Sequence, residues 1–70
     1  MQSKQRFLDE LKYRLRKLPL TDIEDIISDQ DEFIRDAMRD GRSESEVIES
    51  LGSAKEMADS IIAEYNVQKI

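Results

Sequence analysis

The segment Gly41–Glu56, GRSESEVIESLGSAKE, constrains this chain more than any other, because it gives the same instruction twice. In each half a glycine is followed within two residues by a serine, and a glutamate stands three residues beyond the serine. A serine oxygen just ahead of a helix can accept the amide hydrogen of the third helical residue. A glutamate at that third position can reach back to the serine's own amide, which closes a capping box. Glycine supplies the left-handed residue on which helices commonly stop. Ser43 with Glu46 and Ser53 with Glu56 therefore each predict a helix start, and Gly41 and Gly52 each predict a helix end. Between them lies a helix of about two turns, residues 44–51, presenting Val47, Ile48 and Leu51 to a core. A helix this short does not persist alone in water. It must be a corner piece that redirects the chain.

The flanking segments supply what the corner turns between. Phe7, Leu8, Leu11, Leu15 and Leu18 recur at helical spacing and predict a first helix over residues 3–18, with Ser3 as its cap. Pro19 should end it, since proline disfavours helical geometry at the preceding residue and has no amide hydrogen. Thr21 and Glu24 spell a further capping box and predict a second helix over 22–40. Its expected buried face is Ile23, Ile26, Ile27, Phe33, Ile34, Ala37 and Met38. The short link between the first two helices predicts an antiparallel hairpin. A fourth helix over 54–65 should bury Met57, Ala58, Ile61, Ile62 and Tyr65. The expected fold is all-α: one small bundle of four helices over residues 1–66, made of a helical hairpin, a corner helix and a C-terminal helix. Val67 and Ile70 fit no stripe of the fourth helix, so residues 67–70 read as a tail or the start of a linker. Each cap contributes on the order of 1 kcal/mol, which matters in a domain small enough to be marginally stable.

Composition limits the chemistry. Cysteine and histidine are absent, so no disulfide is available and the usual zinc and haem ligands are missing. Apolar runs do not exceed three residues, far short of a membrane span, and the chain as given is expected to be soluble. The net charge of −5 is unevenly distributed. Residues 1–18 carry six basic groups (Lys4, Arg6, Lys12, Arg14, Arg16, Lys17) and only two acids, whereas the remainder is strongly acidic. Such a segment can be an arm for phosphate or lipid. It can equally be the basic half of a helix pair, with Lys12 to Lys17 beside Asp22, Glu24 and Asp25, both placements suiting the helix dipoles.

Candidate sites weigh the same way. Ser43 and Ser53 are accounted for as caps, and no glycine-rich phosphate loop exists. Asp25, Asp29, Glu32 and Asp36 share one side of the second helix. Without an EF-hand glycine or a second ligand set they read as a solvated acidic face rather than a cation site. Two short helices joined at Gly52 suggest a helix-turn-helix, but the second would present Glu56, Asp59 and Glu64 with one lysine to phosphates, which argues against direct DNA binding. The expectation is that the chain is no enzyme and uses no cofactor or metal. Two residues stand out. Gln30 interrupts the second helix's apolar stripe, which calls for a buried hydrogen-bond partner or a contact with another molecule. Tyr13 projects among Arg6, Arg16 and Lys17, either as an ordinary exposed aromatic or as an anchor for a partner.

The order of features is itself distinctive. Phe7, Leu8, Leu11, Leu15, Leu18 and Pro19 are followed by an acidic amphipathic helix, then by Gly41, Ser43, Glu44, Glu46, Val47, Ile48, Leu51, Gly52, Ser53, Glu56 and Ala58. This order resembles the HAAS signalling domain, the N-terminal domain of small bacterial membrane proteins. The resemblance implies a domain at the cytoplasmic face of a membrane, joined to transmembrane helices downstream and often encoded beside PadR-like transcriptional regulators. It carries over no catalytic residues. Ala54 departs from the family's usual proline there, and Gln30 stands near where the family usually has an aromatic. The expected function is a non-catalytic protein-interaction or signalling module with a protein partner such as a PadR-like regulator. The expected contact residues are Tyr13, Arg14, Arg16 and Lys17, together with Asp25, Asp29, Glu32 and Asp36. The alternative from another class is a structural module that self-associates, since about twenty apolar residues make a thin core for four helices. Docking of the basic first helix on anionic lipid is a third reading, against which the net charge argues.

Overall fold

The computed structural model describes residues 3–68, which form α1 (Lys4–Arg14), α2 (Leu20–Arg39), α3 (Glu44–Leu51) and α4 (Ala54–Gln68). α1 starts as expected: Ser3 is extended, and its hydroxyl accepts the Arg6 amide at 3.2 Å. It stops at Arg14, earlier than the predicted residue 18. Pro19 forces Leu18 out of helical geometry, and the reversal takes up the whole of residues 15–19. Leu15 sits near φ −94°, ψ 9°, and the Arg16 and Leu18 amides bond three residues back, to Tyr13 and Leu15, in a tightened turn. The leucine stripe survives this unwinding, since Leu15 is fully buried and Leu18 half-buried.

The Thr21–Glu24 capping box does not form. α2 begins at Leu20, with Pro19 at φ −56°, ψ 142° as the cap and its carbonyl accepting the Ile23 amide at 3.0 Å. Proline's fixed φ allows the helix to begin directly after it. Thr21 is then already inside the first turn, where its hydroxyl cannot serve as a cap. The expected core face of α2 is also narrower than its seven apolar residues suggest. Ile23 and Ile34 are buried, Ile26, Ile27 and Ala37 half-buried, but Phe33 is 49% and Met38 37% exposed. At about 100° per residue, Ile23, Ile27 and Ile34 form one seam, while Phe33 lies about 100° to one side of it. Met38 is nearer the seam but sits in the last turn, with little chain beyond to cover it. The helix ends as predicted at Gly41 (φ +102°). The Gly41 amide bonds Met38 and the Arg42 amide bonds Ala37, the paired bonds of a Schellman motif.

The twice-written corner is built as read. The Glu46 amide donates to the Ser43 hydroxyl at 3.2 Å, and the Glu46 carboxylate accepts from the Ser43 amide at 3.3 Å. The Glu56 amide donates to the Ser53 hydroxyl at 3.0 Å, and the Glu56 carboxylate accepts from the Ser53 amide at 3.4 Å. Gly52 links the two at φ +82°, ψ −163°, a conformation essentially reserved for glycine. α4 then continues to Gln68, past the predicted end at residue 65, so Val67 belongs to the helix backbone rather than to a linker. Ile70 lies outside the described residues.

The corner places α1 at the centre. It packs against α2, α3 and α4, while α3 also meets α2. The core is accordingly Phe7, Leu8, Leu11 and Leu15, closed by Ile23 and Ile34 of α2, Val47 and Ile48 of α3, and Ala54 and Ala58 of α4. The small Ala54 and Ala58 let α4 approach α1 closely. α1's N-terminus is tied to both other layers through Lys4. Its amide donates to the Glu44 carboxylate of α3 at 2.9 Å, and its ammonium pairs with Asp31 of α2 at 2.8 Å. The expected pairing of Lys12 to Lys17 with Asp22, Glu24 and Asp25 is not made. Among the described residues the ion pair joining α1 to α2 is Lys4–Asp31, at the opposite end of the hairpin.

Candidate interaction surface

The basic residues of the first segment gather where α1 ends. Arg16 folds back over Tyr13, its guanidinium 4.2 Å from the ring centroid and its Nη1 donating to the Tyr13 carbonyl at 3.0 Å. The contact pre-arranges cation and ring as one unit, and Tyr13 remains 64% exposed. Arg14 is held by Glu10 one turn earlier at 2.8 Å. Arg14, Arg16 and Lys17 rim a groove floored by Leu18 and Ile62 and bounded by Tyr65 of α4. Leu20, displaced into the first position of α2, is 63% exposed at the same end of the molecule.

The acidic residues divide into two groups. Asp25 and Asp29 stand with Asp22 along a second groove between α2 and α4, floored by Ile26 and Ile61 and closed by Glu64 and Tyr65. Gln30 lies half-buried on its wall. Glu32 and Asp36 continue the acidic face toward the other end of α2, where Asp36 pairs with Arg39 at 3.3 Å and Phe33 stands beside them, half-exposed. Of the expected contact residues, the fold therefore brings Tyr13, Arg14, Arg16 and Lys17 together at one end, sets Asp25 and Asp29 beside them, and leaves Glu32 and Asp36 apart. Asp22, Leu20, Ile61, Ile62 and Glu64 were not anticipated here. The steps from Asp22 to Asp25 and Asp29 are a sequence signal, but the α4 wall is visible only once the corner has been turned.

Two carboxylates are held below their ordinary range, both for structural reasons. The Asp31 group is lowered chiefly by its hydrogen bond to Lys4, against a smaller opposing effect of burial, and further by the Lys4 and Arg35 charges. Glu46 is lowered by the Ser43 amide and hydroxyl that it caps. Among the described residues no group of three carboxylates is arranged to hold a metal ion. None of the helices, among the same residues, is long and apolar enough to cross a membrane.

The class defined by these features is a small all-α domain whose serine–glutamate pairs are engaged in helix capping and whose charged grooves lie at the surface. The family model for HAAS matches residues 6–60, and the chain belongs to that family. No curated protein and no solved structure matches the chain.

Proposed function

We propose that the chain is a non-catalytic interaction module that works by holding a protein partner at the cytoplasmic face of a membrane, with a PadR-like transcriptional regulator as the kind of partner the family context favours. The observation that carries this reading is Phe33. It is a large aromatic, 49% exposed, on a helix face edged by Glu32 and Asp36. An aromatic centre with a charged rim is the arrangement of a protein contact. An acidic rim selects a partner with a basic patch. The side chains of the repeated motif are already engaged in capping, Ser43 with Glu46 and Ser53 with Glu56.

The test is capture of a cross-linked partner from bacterial lysate, identified by mass spectrometry, with wild type against Phe33→Ser and against Glu32→Lys/Asp36→Lys. All three chains should have the same helical circular dichroism, because the altered side chains are exposed. Phe33→Ser should weaken capture by about tenfold or more, as for a central aromatic anchor. Undiminished capture by both variants would reject the surface.

A further inference from the structure

The end of the molecule where α1 gives way to α2 carries three features that the Phe33 face does not use. The groove rimmed by Arg14, Arg16 and Lys17 has no carboxylate in its lining. The groove rimmed by Asp22, Asp25 and Asp29 has no cation in its lining. The two share a wall, Tyr65, so they lie side by side. Tyr13 and Leu20, the two most exposed large hydrophobics, belong to the same end. Opposite charges this close would be expected to satisfy one another within the chain. Yet among the described residues Arg16, Lys17, Asp22, Asp25 and Asp29 enter no ion pair. The third groove, between α1 and α2, behaves differently: it is lined by charges of both signs, and Lys4 closes on Asp31 across it.

We propose that this end is a self-association surface, in which two copies related by a two-fold axis set the cationic groove of each against the acidic groove of the other, with Tyr13 and Leu20 covered between them. A second copy is the occupant that the charges specify, because the chain itself carries both halves of the match. The side-by-side placement specifies the symmetry. A dyad passing between the grooves exchanges them, so both contacts form at once and the assembly closes at two copies. A head-to-tail contact would use one groove on each copy and leave the other open. Solvent-exposed ion pairs add little affinity each. The covered apolar residues therefore supply the attraction, and the charges fix register and exclude the wrong orientation.

The test needs only the purified chain, so it is read independently of partner capture at the Phe33 face, and either result can fail alone. Sedimentation velocity is run from the micromolar into the millimolar range at low and high salt. It covers wild type, Arg16→Glu/Lys17→Glu, Asp22→Lys/Asp25→Lys/Asp29→Lys, and an equimolar mixture of the two variants. Circular dichroism establishes that each chain is folded. Wild type should form a dimer that weakens as salt screens the pairs. Each variant alone should associate at least about tenfold more weakly, because it opposes like charges. The mixture should restore the dimer, since one variant is then acidic in both grooves and the other basic in both. A wild-type chain that stays monomeric throughout would overturn the proposal, as would variants that dimerise like wild type, a mixture that stays monomeric, or species that keep growing beyond two copies. So would a monomer whose cationic groove binds phosphatidylglycerol vesicles, or whose acidic groove binds a lysine–leucine helical peptide. Either result would identify a different occupant.

Discussion

Three serine or threonine residues in this chain stand three places ahead of a glutamate at an expected helix start, and only two of them cap. What separates them lies upstream. Ser43 and Ser53 follow Gly41 and Gly52, both at positive φ, so the helix cannot begin sooner. Thr21 follows Pro19 and Leu20, which are free to begin it two residues early. The pattern is therefore decisive only where the preceding backbone is barred from helix. That places a specific burden on Gly52. At φ +82°, ψ −163° an alanine is strained, although its Cβ would meet only the Glu56 carboxylate at an ordinary 3.5 Å. Gly52→Ala should destabilise the domain by about 1–3 kcal/mol through backbone strain alone. Ser43→Ala, which removes one cap, should cost about 1 kcal/mol. Urea denaturation of both variants checks the order, and a Gly52→Ala protein as stable as wild type would mean that the corner is not built on that conformation.

Helix ends and helix faces were legible to different depths. α3 has the predicted limits because both its boundaries are set by residues within it or next to it. α1 ends early because its end is decided by how much chain the reversal before α2 needs, which no local pattern states. Counting apolar residues on α2 puts Phe33 in the core, but coverage depends on where α1, α3 and α4 lie, and they follow the seam of Ile23, Ile27 and Ile34. Lys4 is the extreme case, since its partners Glu44 and Asp31 are remote in sequence and nothing local announces either. The Lys4–Asp31 pair and the Ser43–Glu46 cap make the stability of the fold sensitive to acid. The Asp31 and Glu46 groups are lowered in the folded state from ordinary values of 3.8 and 4.5. Within the acid window the unfolded chain therefore binds more protons. Their stabilisation is complete above the ordinary values and is lost as pH falls through the lower, folded ones. Thermal midpoints measured from neutral pH downward should fall in that window for wild type. They should fall less steeply for Asp31→Asn/Glu46→Gln, which begins from a lower midpoint at neutral pH. Parallel profiles would show that neither carboxylate contributes.

At the scale of the whole molecule, the chain forms an elongated body of 41 × 20 × 18 Å in which α1 packs against the other three helices. Four of the ten core residues come from α1 and its cap. That inventory was readable from the stripe Phe7–Leu8–Leu11–Leu15, whereas the central position of α1 was not: a hairpin followed by a corner allows α4 to cover either helix. Ala54 and Ala58 settle it by giving α4 a face flat enough to lie against α1. The same placement brings Ile61, Ile62 and Tyr65 to the turn end, where they complete the two charged grooves. The candidate surface was therefore half-legible, with its charged residues visible in sequence and their grouping dependent on α4. The measurement that tests this account most directly is a solution NMR spectrum with methyl nuclear Overhauser contacts. It should give contacts from Leu11 and Leu15 to residues of both α2 and α4, with the run of sequential amide contacts broken at Gly52 and Ser53. An unbroken helical run through residues 44–66, with no contact between α1 and α4, would contradict it.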